Sequence, residues 1–125
     1  MDVDSIRAHC LSFPNVSETL QWGDHLCFKV GGKIFALVSL DITSGTRLSV
    51  KCSPERFAEL LEIDGCHPAP YVGRYKWIGL ERLDSLSDRD LEAVIGESYA
   101  LVAAKAPRKT VSANPKRGSK PRRRA

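Results

Sequence analysis

The chain has 125 residues, 42% of them apolar, which suits one domain with a core of its own. No run approaches the roughly 18 consecutive apolar residues of a membrane helix. The acidic start Met1-Asp2-Val3-Asp4 has neither the basic opening nor the apolar run of a secretion signal, so a cytoplasmic protein is expected.

The net charge of +4 conceals a division. Residues 1–104 hold ten Lys/Arg against all fifteen Asp/Glu, a net of −5, and residues 105–125 hold nine Lys/Arg and no acid. The four cysteines, at 10, 27, 52 and 66, form no C-x-x-C pair, which points to buried or half-buried thiols rather than to a metal or redox site.

Along the chain, Val3, Ile6, Cys10 and Phe13 recur at helical spacing, so a first helix is predicted over Asp4–Phe13, capped by Asp2 or Asp4 and stopped by Pro14. Strands follow over Ser17–Trp22, Leu26–Val30 and Lys33–Leu40. Gly31-Gly32 joins the last two as a hairpin, because primed turns require positive φ. That turn sets Val30 opposite Lys33, Phe28 opposite Phe35 and Leu26 opposite Leu37, with Leu26, Phe28, Phe35 and Leu37 forming the core side. Trp22, beside the Gly23-Asp24 turn, is read as a packing residue. Thr46–Lys51 alternates, with Leu48 and Val50 on one face and Arg47, Ser49 and Lys51 on the other.

Ser53-Pro54-Glu55 opens a second helix with a cap, a proline at the first helical position and an acid at the positive end of the dipole. Asp64-Gly65 ends it. Cys66–Gly73 reads as a proline-rich loop, Tyr75–Leu80 as the last strand with Trp77 in the core, and Ser87-Asp88-Arg89-Asp90 as the cap of a final helix that Pro107 closes. The fold class is α+β: an antiparallel sheet with helices on one face, over residues 1–106, and a disordered basic tail over 107–125.

Four segments in order resemble the MmcQ/YjbR family. They are W-G-D-H-L-C-F-K-V-G-G-K-I-F-A-L (22–37), L-S-V-K-C-S-P-E-R-F-A-E-L-L (48–61), P-A-P-Y-V-G-R-Y-K-W-I-G-L (68–80) and E-S-Y-A-L-V-A-A-K-A-P (97–107). The resemblance spans about residues 4–107. It implies a "double wing" α+β fold, similar in topology to the frataxin-like fold, and DNA binding. The basic tail is not part of the family pattern.

The tail carries Arg108, Lys109, Lys116, Arg117, Lys120, Arg122, Arg123 and Arg124, broken by Pro107, Pro115 and Pro121. A flexible polycation is drawn to phosphate by counterion release, whatever the base sequence. In the body, Arg47 and Lys51 share a strand face, and Arg74 and Lys76 precede Trp77, an interleaving suited to phosphate contact beside base stacking. Lys29 and Lys33 flank the Gly-Gly turn, where lysines also keep sheet edges from pairing.

His25 and His67 lack partners at metal-ligand spacing, and no phosphate-loop, nucleophile-elbow or zinc-protease motif is present. Neither a metal nor a cofactor is expected. These features lead to a nonenzymatic nucleic-acid-binding protein, with DNA ahead of RNA as the partner. The alternative is an adaptor for a protein or small ligand, its groove formed by the Pro68–Tyr75 loop and its tail only solubilising.

Overall fold

The computed structural model describes residues 1–70 and 72–105. The side chain of Arg74 also lies outside the described set. Residues 106–125, on which the tail assignment falls, lie outside the described residues.

Asp2 caps helix α1 (Val3–Leu11). Its carboxylate accepts from the Ser5 amide at 2.8 Å, and the Ser5 hydroxyl accepts from the Asp2 amide at 3.0 Å, closing a capping box. Ser53 caps α2 (Pro54–Leu61) by accepting from the Arg56 amide at 3.1 Å. Ser87 accepts from the Asp90 amide at 3.2 Å ahead of α3 (Asp88–Lys105).

The six strands are β1 (Val16–Gln21), β2 (His25–Val30), β3 (Lys33–Ser39), β4 (Leu48–Lys51), β5 (Cys66–Pro68) and β6 (Trp77–Leu80). They form one sheet in the order β1-β2-β3-β4-β6-β5, antiparallel throughout. The helices cover one face and leave the other open. Ile6, Cys10, Leu91, Val94 and Ile95 from the helices bury against Phe28, Phe35, Val38, Leu48, Val50, Ile78 and Leu80 of the sheet.

Two sequence expectations are corrected. First, β5 lies where a loop is predicted. As an edge strand of three residues it tolerates its terminal proline, because an edge has no second ladder to satisfy.

Second, the β2–β3 register follows the Gly-Gly turn only for two pairs, Val30 with Lys33 and Lys29 with Ile34. A bulge at Phe35 then shifts it, so that Phe28 faces Ala36 and Cys27 faces Leu37. Because side-chain direction has a period of two, one inserted residue exchanges the faces of everything beyond it. Ala36 and Val38 turn to the core, where both are fully buried, and Leu37 turns to the open face.

Ser98 of α3 fills the gap that the bulge leaves between β3 and β4. Its hydroxyl donates to the Phe35 carbonyl at 2.6 Å and accepts from the Lys51 amide at 2.9 Å. The residue is completely buried, so two backbone groups that would otherwise be unsatisfied depend on it.

Candidate functional site

The register determines what the open face presents. Cys27, Leu37, Ser49, Gly79 and His67 form a row across β2, β3, β4, β6 and β5. Gly79 keeps the floor of this row low. A Cβ there would stand 2.9 Å from both His67 Nε2 and Thr46 Cγ2, and those two residues meet above the glycine through a 2.9 Å contact between Thr46 Oγ1 and His67 Nε2.

Toward the Gly-Gly turn, Lys29 pairs with Ile34 and Lys51 with Trp77, each two residues along its strand from the central row. Toward the opposite end lie His25, Ser39, Arg47 and Glu81.

Above this floor is a cavity of about 460 Å³, within the range of small-ligand sites. Leu37, Ile34 and Ser49 line its base, and Pro70 and Val72 line it from the segment after β5. Trp77 and Trp22 line it from opposite lateral flanks of the open face. Trp22 is not the packing residue expected. It is 69% exposed, has a left-handed backbone (φ 63° at Asn15 and 55° at Trp22 mark the two ends of the β1 segment), and meets His25 edge-on at 5.7 Å. Trp77 is half-buried on the open face rather than in the core. His25 Nδ1 lies 2.7 Å from Asp24 Oδ1, in an alignment that makes no hydrogen bond.

The cations expected to act together are dispersed. Lys51 stands beside Trp77 at the turn end. Arg47, which precedes β4, donates its Nε–H to the Ser39 carbonyl at 3.1 Å. Lys76 has a left-handed backbone and lays its ammonium 5.3 Å from the centre of the Phe57 ring of α2, away from the open face. The side chain of Arg74, and Arg108, Lys109, Lys116, Arg117, Lys120, Arg122, Arg123 and Arg124, lie outside the described residues. Lys29 lies at the same turn end of the open face, paired with the cavity residue Ile34 as Lys51 is with Trp77, and neither lysine has an ion-pair partner among the described residues.

Among the described residues, Glu18 is the only carboxylate within the six strands. Its pairing with Phe28 places it on the helix side, where Arg7 of α1 holds it at 2.7 Å and keeps its carboxyl below the usual range.

A family model described as YjbR matches residues 11–101. The chain belongs to the YjbR family. Among solved structures it is similar to the Deinococcus radiodurans protein DR2400, described as a DUF419 domain, with 29% identity, a TM-score of 0.74, and 86% of this chain and 82% of that one covered. It is also similar in fold to a Pseudomonas syringae protein, with 20% identity, a TM-score of 0.66, and 82% of this chain and 99% of that one covered. No curated protein sequence matches the chain. The YjbR match takes in all six strands, and with them every strand residue that lines the cavity. Among the described residues, no helix is long and apolar enough to cross a membrane.

Proposed function

We propose that this YjbR-family protein is a nonenzymatic nucleic-acid-binding protein, with DNA favoured by the family resemblance. The basic segment 105–125 supplies sequence-independent attraction to phosphate, and the open face of the sheet supplies the contact surface. The observation that carries this reading is the segregation of charge. The strands' one carboxylate is turned to the helices and neutralised by Arg7, while Lys51 stands beside Trp77 and Lys29 beside Ile34 on the open face, neither with an ion-pair partner among the described residues. The net charge of −5 over residues 1–104 therefore lies off the strands, and Asp24 and Glu81 border only the end of the face away from the lysines. The buried thiols support binding over catalysis, since burial pushes Cys10 up to about 12 and Cys52 up to about 11, far from the range of an activated nucleophile.

The test is a mobility-shift series on the full chain with labelled DNA at rising salt. A parallel series uses a full-length variant in which the eight Lys/Arg of residues 108–124 are replaced by Gln. The wild type shifts DNA at low salt, and the variant binds more weakly with a shallower salt dependence. No shift by the wild type at low salt removes the proposal.

A second reading is favoured by the cavity itself, which is lined mainly by apolar side chains: a small-ligand adaptor. Uncharged aromatic compounds would then raise the melting temperature equally at low and high salt, whereas a phosphate-bearing partner loses its effect as salt rises.

A further inference from the structure

The protein has two tryptophans, and both line the open-face cavity. We propose that this cavity receives unstacked nucleobases, so that the protein prefers single-stranded DNA to duplex. The inference rests on the nucleic-acid reading above and specifies which form of the polymer the site takes.

Three features support it. The tryptophans flank the cavity from the β1–β2 turn and from β6, and three strand spacings from β2 to β6 amount to about 14 Å. That is too wide for both indoles to clamp one ring, so each offers its own stacking platform, as aromatics on sheet faces do for splayed-out bases.

The floor between them is apolar at Leu37 and Ile34, and of the three hydroxyls that line the cavity, those of Ser39 and Thr46 are engaged while that of Ser49 has no hydrogen-bond partner among the described residues. A flat apolar bed with a free polar group matches a base, which has an apolar face and a hydrogen-bonding edge.

The cavity also has electrical direction. Lys29 and Lys51 stand at the Gly-Gly-turn end of the face that floors it, and Asp24 and Glu81 at the other. A strand therefore places its phosphates along the lysines. In a duplex the bases are already stacked and paired, so they reach the cavity only at the cost of unstacking.

The experiment uses the full chain with three probes: a twelve-residue oligothymidylate, a duplex of the same length, and thymidine monophosphate. Binding is followed by anisotropy of an end label on each DNA, and cavity occupancy by tryptophan emission. The oligothymidylate quenches the emission and binds more tightly than the duplex, by roughly 5- to 150-fold for each base stacked. Thymidine monophosphate at the same nucleotide concentration leaves the emission largely unchanged. Trp77→Leu weakens the single-strand advantage by the share of one platform, and Trp77→Phe retains it.

Should Trp77→Leu not fold, wild-type emission together with Trp22→Phe, whose only indole is Trp77, decides the matter. Binding of both DNAs with equal affinity, or without any change in emission, overturns the base pocket while the nucleic-acid reading stands. Quenching by thymidine monophosphate equal to that by the oligomer overturns it in favour of a free-nucleotide site. Failure of every DNA to bind removes the underlying reading as well.

Discussion

Ser98 replaces a rung of the sheet with a side chain. The hydroxyl serves both the carbonyl that the bulge leaves free and the amide at the end of β4, in a fully buried position. Ser98→Ala leaves both groups unsatisfied and lowers stability by about 1–3 kcal/mol, read from urea unfolding. An unchanged midpoint would mean that water or a shifted backbone replaces the hydroxyl.

Gly79→Ala puts a methyl group against His67 and Thr46 and costs about 1–3 kcal/mol by overpacking. The same denaturation measurement checks it.

Cys10 sets a pH dependence. Its thiol titrates near 9.0 in the unfolded chain and, through burial, only at about 12 in the folded one. A raised pKa of this kind leaves stability intact below pH 9 and erodes it as pH climbs toward 12, because only the unfolded chain loses the proton in that window. The stability gap between wild type and Cys10→Ala therefore narrows across pH 9–12, and a constant gap would contradict the burial of the thiol.

At the scale of elements, the bulge at Phe35 connects sequence to site. It places Phe35 in the core against Phe13 and Tyr99, and it gives Leu37 to the cavity. Phe35→Ala costs about 3–5 kcal/mol, measured by thermal or chemical unfolding. A loss under 1 kcal/mol would show that the bulge repacks easily.

The hairpin was legible because two glycines with φ of 60° and 78° are what its turn requires. The caps at Asp2, Ser53 and Ser87 were legible from short polar side chains ahead of apolar periodicity. The bulge was not. Lys33–Ser39 is apolar at every position from Ile34 to Val38, so alternation carries no sign of a slipped register. The core-side assignment of Leu37 fails for that reason. The edge strand β5 was hidden by the prolines around it, whose loop signal outweighs three residues of pairing with β6.

For the molecule as a whole, the α+β architecture with helices on one face follows from the order and type of its elements. The candidate site does not, because it is assembled by register. Lys51 was legible as a surface cation, but its alignment with Trp77, and the arrival of Lys29 near the same end, depend on a sheet order in which β4 lies next to β6. Arg47 and Lys76, adjacent in kind to Lys51 along the sequence, are drawn off by the Ser39 carbonyl and the Phe57 ring.

The charge division between body and segment 105–125 needs no structure to be read. If about six phosphates are neutralised, the logarithm of affinity falls with the logarithm of salt with a slope near −5 for duplex DNA and about −4 for single strands, measured by anisotropy. A slope near zero would deny the electrostatic origin of binding.

Whether the folded body takes part at all is tested most directly by a two-dimensional NMR titration of the nitrogen-15-labelled full chain with a single-stranded oligonucleotide. Shifts should gather on Lys29, Leu37, Ser49, Gly79 and the Trp77 indole, together with residues beyond Lys105, and should leave α1 and α2 unmoved. Shifts confined to residues beyond Lys105, or centred on the helices, would contradict the assignment of the open sheet face.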